Sequence, residues 1–139
     1  MVDRVFLDAN VLFAAAWGSR GLDQLWERAR DGRCTLMASA YVIQEARLNL
    51  ASVEQRTRLQ TRLHDLLVVA EAPGTTRCPL DVPAKDQPLV VAALAARSTH
   101  LLTGDIRHFG PYFGQTVGGM RVLRPSAYLE PPADQPGDA

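Results

Sequence analysis

Apolar residues in this chain cluster in short runs, separated by segments in which they recur at helical spacing. The runs have the length of buried strands and cover residues 2–7, 34–38, 67–70, 100–102 and 120–123. The helically spaced segments cover residues 10–17, 22–30, 40–50, 52–66 and 86–97. Strands that alternate with helices predict an α/β fold, a three-layer sandwich with a central parallel sheet and helices on both of its faces.

Residues that break regular structure place the remaining segments in loops. Residues 71–85 are rich in proline, glycine and threonine and are predicted to form a loop too short to link two domains. Residues 107–119 form an irregular stretch of glycines and aromatic residues. We therefore expect one domain at residues 1–130, followed by a flexible C-terminal tail at residues 131–139.

Composition and charge indicate which classes of protein the chain can belong to. No window approaches the ~20 apolar residues of a membrane span, and the N-terminus leads into a strand rather than a signal peptide, so a cytoplasmic protein is expected. The 15 basic and 15 acidic residues cancel, so no overall charge attracts nucleic acid. Fourteen of the basic residues are arginines, whose forked side chains suit phosphate groups. Candidates for binding the phosphates of a nucleic-acid backbone are Arg47, Arg56, Arg58, Arg62 and Arg107. Charged helix faces are, however, often simply solvated.

Two of the apolar runs end on a carboxylate. Asp8 directly follows the run at residues 5–7, and Asp105 follows Leu-Leu-Thr-Gly at residues 101–104. In a parallel α/β sheet the ligand crevice lies beyond the carboxyl ends of the strands, so both side chains are expected at that edge. Each also has a simpler interpretation. Asp8 can cap the following helix, and Asp105 can bond its own backbone in a turn.

Two further carboxylates lie on predicted helices. On a helical wheel Glu45 lies between Tyr41 and Leu48 on one side and Val42 on the other, within the stripe expected to face inward. A buried carboxylate needs a partner, so a structural ion pair with an arginine is an alternative explanation. Asp86 begins a helix that is apolar on nearly every side, where it can serve as the N-cap. Capping and metal contact can coexist.

The four carboxylates together change the interpretation. At close range they would repel one another and raise one another's pKa. A divalent cation removes that conflict, and oxygen ligands suit Mg²⁺ or Mn²⁺ held together with water and a substrate phosphate. The pattern therefore points to a site for phosphoester chemistry.

The order of these motifs resembles that of PIN-domain ribonucleases over residues 2–123. The resemblance is carried by VFLDANVL at residues 5–12, the mid-chain Glu45, Asp86 ahead of LVVAAL at residues 89–94, and LLTGD at residues 101–105. It implies a Rossmann-like sheet with strand order 3-2-1-4-5 and Mg²⁺- or Mn²⁺-dependent cleavage of RNA. Many small bacterial members of this family are toxins of toxin–antitoxin pairs and form homodimers. Candidate partners are therefore RNA, a cognate antitoxin protein and a second copy of the chain.

The resemblance also implies roles for individual residues. Those that correspond to the catalytic acidic cluster of the family are Asp8, Glu45, Asp86 and Asp105. The three aspartates are expected to hold one or two metal ions, and the glutamate to complete the cluster or orient a water. Asn10 and Thr103 are expected to fix the orientation of the carboxylates. Ala9 departs from the family, which usually has a small hydroxyl residue near the first aspartate. His108 is expected in a loop near the proposed site, with contact to the substrate as the less favoured alternative.

Two other functions stay open at this point. Haloacid-dehalogenase-like phosphatases also place an aspartate after their first strand, and normally a second one two residues later. This chain has Asn10 there, which cannot donate a proton as a general acid. Hydrolysis of para-nitrophenyl phosphate would identify that class. The second alternative is a non-catalytic PIN-like module that binds RNA or protein. Such a module does not require four carboxylates in one place.

Overall fold

A computed structural model describes residues 2–130, so the predicted tail at residues 131–139 lies outside the described residues. The strands are β1 (Asp3–Leu7), β2 (Cys34–Ser39), β3 (Leu66–Val69), β4 (His100–Leu102), β5 (Thr116–Val117) and β6 (Met120–Leu123). The helices are α1 (Ala9–Trp17), α2 (Arg20–Arg30), α3 (Ala40–Leu48), α4 (Val53–Leu63), α5 (Gln87–Ala95), α6 (Ile106–Phe109) and α7 (Pro125–Leu129). Short 3₁₀ turns occupy Ala84–Asp86 and Gly110–Tyr112.

The six strands form one sheet in the order β3-β2-β1-β4-β6-β5. Every pairing is parallel except that of β5 with β6. The predicted α/β class is thus confirmed, and the five predicted strands keep the order 3-2-1-4-5, with β6 as the fifth. The added edge strand β5 corrects that prediction. A turn at Gly118 and Gly119 connects it to β6, and the φ angles of these glycines, 58° and 81°, suit a tight hairpin.

The central strands are buried on both faces of the sheet. Consecutive residues of a strand point to opposite faces, yet Val5, Phe6 and Leu7 of β1 are all inaccessible to solvent. Helices therefore cover both faces, as expected for parallel strands with continuous apolar runs. α1 packs against α3 and α4, whereas α2 packs against β2 and α7. Within residues 2–130, no helix is both long enough and apolar enough to cross a membrane.

The inward stripe predicted for α3 was partly wrong. This helix buries Val42, Ile43 and Ala46, but Leu48 is 72% exposed and Tyr41 is 36% exposed. Leu48 is the last helical residue, so it lies where α3 leaves the core and turns toward α4. A capping box formed by Ser52 and Gln55 begins α4.

Replacing Leu101, a fully buried residue of β4, tests the location of the core. We expect Leu101→Ala to lower the free energy of unfolding by about 2–5 kcal/mol, because the lost contacts leave a cavity. The matched control, Leu48→Ala, should change it by less than about 0.5 kcal/mol, since that side chain is mostly exposed. Urea unfolding of the two variants measures both values, and equal losses would contradict the assigned core.

Candidate functional site

The candidate site lies where the order of strands in the sheet reverses. β2 and β3 lie on one side of β1, and the chain then crosses to add β4 and β6 on the other side. Leu7 of β1 is paired with Leu102 of β4, and the N–H of Asp8 donates to the carbonyl of Leu102 at 3.0 Å. In open α/β sheets, the carboxyl ends of the strands at such a reversal form the ligand crevice.

A cavity of about 410 Å³ opens at this edge of the sheet and brings the four predicted acidic residues together. Its lining consists of Asp8, Ala9, Asn10, Phe13, Glu45, Asn49, Lys85, Asp86 and Asp105. The carboxylates reach it from four places in the fold: the end of β1, the middle of α3, the turn before α5 and the loop after β4. Thr103 is fully buried beside them.

Asp8 is held by three hydrogen bonds and is only 5% exposed. Its Oδ1 accepts from the N–H of Ala9 at 2.6 Å, so it does cap α1. Its Oδ2 accepts from the hydroxyl of Thr103 at 2.8 Å and from the side-chain amide of Asn10 at 3.2 Å. Asp8 therefore both caps α1 and lines the acidic cavity.

Asn10 and Thr103 connect the loop after β1 to the loop after β4. The Oδ1 of Asn10 accepts from the N–H of Gly104 at 2.8 Å, and the hydroxyl of Thr103 accepts from the N–H of Asp105 at 3.1 Å. The amide of Asn10 also donates to the hydroxyl of Thr103 at 3.3 Å. These bonds fix the positions of Asp8 and Asp105 relative to each other. They also give Asn10 a structural role, which a phosphatase acid at this position would not have.

Asp105 and His108 form a hydrogen-bonded pair on α6. The Oδ1 of Asp105 caps this helix by accepting the N–H of His108 at 3.1 Å. Its Oδ2 lies 2.8 Å from Nδ1 of the same histidine, which is in turn 3.5 Å from Oδ2 of Asp86. The three residues offer ligand atoms that all lie within 4.8 Å of one another. The prediction of a loop at His108 was wrong, and its Asp-x-x-His spacing was the available signal.

Asp86 is a buried carboxylate with an unsatisfied oxygen. It is 5% exposed and closes the 3₁₀ turn before α5, but its side chain makes no capping hydrogen bond. Its Oδ2 has no hydrogen-bond partner among the described residues, and the nearest amine, Nζ of Lys85, lies 3.9 Å from Oδ1. Capping therefore does not explain this side chain. A buried anion in this state fits a site that receives a cation.

Glu45 is half-buried and lines the cavity from α3. Among residues 2–130 it forms no ion pair with an arginine, so the alternative of a structural ion pair is not observed. Its backbone carbonyl accepts from the side chain of Asn49, one turn further along. The Glu45 carboxylate is thus available at the mouth of the cavity.

Burial and mutual repulsion resist the ionisation of two of the carboxylates. Burial raises the pKa of Asp8 to about 6 against the hydrogen bonds from Thr103 and Ala9, and the charges of Asp86 and Glu45 add to the rise. Burial likewise raises the pKa of Asp86, although neighbouring Lys85 and His108 oppose it.

Asp105 behaves in the opposite way. Burial acts to raise its pKa, but hydrogen bonds from the backbone and ring of His108 outweigh that effect and lower the pKa below its usual value. The site therefore combines a readily ionised carboxylate with two that need a positive charge nearby. Carboxylates under mutual repulsion fit a hard divalent cation.

A family model described as "PIN domain" matches residues 4–107. The chain belongs to the PIN-domain family. Among solved structures, this PIN domain is similar to a chain in the crystal structure of VapBC2 from Rickettsia felis bound to a DNA fragment from their promoter. The TM-score is 0.63 and the identity 14%, over 87% of this chain and 98% of that one, so this likeness concerns the fold. A comparison with curated proteins gave no significant match.

The five candidate arginines of the PIN domain fall into two groups. On α4, Arg56 donates to a backbone carbonyl ahead of that helix, Arg58 donates to a carbonyl in the last turn of α1, and Arg62 pairs with an aspartate of α2. These three hold α4 in place. Arg47 is exposed on α3, where its side chain donates to that of Gln44 at 3.4 Å, and Arg107 is exposed on α6 between two residues of the site.

A larger groove of about 870 Å³ adjoins the acidic cavity. It shares Asn10 and Asp105 with that cavity and extends between the α1–α2 junction and α7, where Arg124 and Leu129 contribute to its lining. The groove and the acidic cavity of the PIN domain therefore share part of their lining.

The raised pKa of Asp8 predicts a pH-dependent effect of Asp8→Asn on stability. The folded-state pKa of about 6 exceeds the ordinary 3.8, so the folded protein binds this proton more tightly than the unfolded chain. That stabilisation is complete below about pH 4 and is lost as the pH rises through about 6. In EDTA, the variant should therefore gain stability relative to wild type by up to about 3 kcal/mol between pH 4 and pH 8.

Urea unfolding at several pH values measures this difference. Asp31→Asn, at an exposed aspartate after α2, is the matched control and should show no such trend. A difference between Asp8→Asn and wild type that stays constant from pH 4 to pH 8 would contradict the assigned environment of Asp8.

Proposed function

We propose that this PIN domain is an endoribonuclease that depends on Mg²⁺ or Mn²⁺, with Asp8, Asp86 and Asp105 as metal ligands. The observation that carries the proposal is the convergence of four carboxylates in one cavity at the carboxyl ends of β1 and β4. A degenerate scaffold would gain nothing from this concentration of like charge, and each buried carboxylate costs stability unless it is compensated.

The residues present fit such a metal. The donors are carboxylate oxygens, which hard divalent ions prefer, and Oδ2 of Asp86 is buried with no hydrogen-bond partner among the described residues. A bound divalent ion would stabilise charge on the phosphate and lower the pKa of the attacking water. No nucleophile from the protein is required.

The chain's own groups have distinct tasks in this proposal. The half-buried carboxylate of Glu45 is proposed to orient the attacking water and accept its proton, because it lines the cavity while the three aspartates are assigned to the metal. Thr103 and Asn10 keep Asp8 and Asp105 in a fixed relative position through their hydrogen bonds. These two are positioning residues, since they act through the carboxylates.

Contacts to the RNA backbone are proposed for the two exposed candidate arginines, Arg47 and Arg107, together with Lys85 in the cavity lining. Arginine forks bind phosphate oxygens in pairs. The three candidate arginines of α4 are engaged within the domain, so we expect them to contribute less to RNA binding.

We further propose that the chain is the toxin of a type II toxin–antitoxin pair, with the antitoxin and a second copy of the chain as its protein partners. The support is family membership and the similarity of fold to a chain of a VapBC2 structure. Growth arrest on expression, relieved by a small DNA-binding protein encoded beside this chain, would be the expected behaviour. Growth that is unaffected by high-level expression would count against the toxin role.

Loss of a ligand should abolish cleavage while leaving the fold intact. We expect Asp86→Asn and Asp105→Asn to reduce Mn²⁺-dependent cleavage of a fluorescent single-stranded RNA by more than about 100-fold, because several kcal/mol of charge stabilisation are lost. Asp31→Asn, purified in the same way, is the control and should cleave as wild type does, and EDTA should stop both. Undiminished cleavage by both site variants would refute the proposed function. Hydrolysis of para-nitrophenyl phosphate by wild type would instead indicate a phosphatase.

Two substitutions of Thr103 distinguish the effect of its hydroxyl group from the effect of its packing. Thr103→Val keeps the shape but removes the hydrogen bonds to Asp8 and Asp105, so we expect metal affinity or cleavage to fall by about 10–100-fold. Thr103→Ser, which retains the hydroxyl, should recover most of that loss. Isothermal titration with Mn²⁺ and the RNA assay give the two readouts. If valine and serine behave alike, the hydroxyl has no positioning role.

A further inference from the structure

His108 lies inside the acidic cluster although it was not among the predicted ligands. Its Nδ1 is 2.8 Å from Oδ2 of Asp105 and 3.5 Å from Oδ2 of Asp86, and the side chain is about one-quarter exposed. The imidazole is therefore the closest group to both carboxylates. It is also the only nitrogen donor in the group of three that the described residues bring within 4.8 Å of one another.

The spacing of these donor atoms matches a metal coordination shell. Ligands about 2.1 Å from an octahedral ion lie about 3.0 Å apart when they occupy neighbouring positions. The two distances from Nδ1 of His108, 2.8 and 3.5 Å, lie on either side of that value. These spacings are compatible with all three donors binding one ion.

A second observation points independently to a missing ligand. Asp86 is 95% buried, since its residual exposure is 5%, and its Oδ2 is the atom that faces His108 without a hydrogen bond. A buried carboxylate oxygen with no donor is rare in folded proteins. A cation between Asp86 and Asp105 would satisfy it.

We propose that Nδ1 of His108 is a ligand of the metal in this PIN domain and shifts its preference from Mg²⁺ toward first-row transition ions, with Mn²⁺ as the probe ion. The inference rests on the proposed function, because it concerns the same site. Mg²⁺ favours an all-oxygen shell and keeps its waters, whereas an imidazole nitrogen suits transition metals. Replacing one oxygen donor by nitrogen thus weakens Mg²⁺ binding relative to Mn²⁺.

The competing role for His108 is positioning. In that case Nδ1 keeps its hydrogen bond to Asp105, the histidine orients the carboxylate, and metal selectivity comes from the oxygens alone. The two roles differ in whether nitrogen is bonded to the metal, and this can be measured directly without any assay of activity.

The test uses the full chain with Mn²⁺ or Mg²⁺ alone. Pulsed EPR of Mn²⁺-loaded wild type should show coupling to a ¹⁴N nucleus, and that coupling should disappear in His108→Gln. By isothermal titration, His108→Gln should lose about tenfold in Mn²⁺ affinity and less than about threefold in Mg²⁺ affinity. The matched control is His64→Gln, at an exposed histidine that ends α4, and it should keep both affinities and the coupling.

The outcomes separate this inference from the proposed function. Absence of ¹⁴N coupling in wild type, or equal losses of Mn²⁺ and Mg²⁺ affinity in His108→Gln, overturns the role of His108. The nuclease proposal survives that result if Asp86→Asn and Asp105→Asn still lack metal-dependent cleavage. Failure of wild type to bind either ion overturns both proposals. The wild-type EPR spectrum decides the question even if His108→Gln does not fold.

Discussion

The arrangement of this domain depends on one electrostatic constraint: carboxylates are concentrated at the carboxyl ends of β1 and β4. The parallel sheet brings the two strand ends together, and helix starts place Asp8 and Asp105 there as caps. Hydrogen bonds from Thr103 and Asn10 then hold the two loops at a fixed separation. Burial is the main cause of the raised pKa values of Asp8 and Asp86, and the charges of neighbouring carboxylates add to both. We interpret this accumulated negative charge as the feature that selects a divalent cation.

Most of the fold could be predicted because buried parallel strands appear in the sequence as short runs rich in apolar residues. The strands β1, β2, β4 and β6 were each visible in this way, and the nearly all-apolar α5 was visible as a buried helix. The β5–β6 hairpin was missed because residues 107–119 were treated as irregular, although Gly118-Gly119 between Val117 and Met120 is a hairpin signal. The exposure of Leu48 could not be foreseen, because it depends on where α3 ends relative to its neighbours.

The site was only partly accessible from the sequence. An aspartate that follows a strand can be recognised from the neighbouring residues, so Asp8 and Asp105 could be located. The unsatisfied oxygen of Asp86 could not, because it depends on which groups the folded chain brings near it. His108 lies close to Asp105 because the single turn of α6 brings the imidazole back toward that carboxylate. A helix of only four residues is difficult to recognise in a sequence. The roles of the α4 arginines were likewise hidden, because Arg62 finds its partner on α2, far away in sequence.

The most direct test of the account is to locate the metal itself. A crystal of the full chain grown with Mn²⁺, with diffraction data collected near the manganese absorption edge, yields an anomalous difference map that shows the ion without reference to activity. The account predicts a strong peak between the carboxylates of Asp86 and Asp105, in the cavity that Asp8 and Glu45 also line. A map with no peak in that cavity at saturating Mn²⁺, or with peaks only elsewhere on the protein, would contradict it.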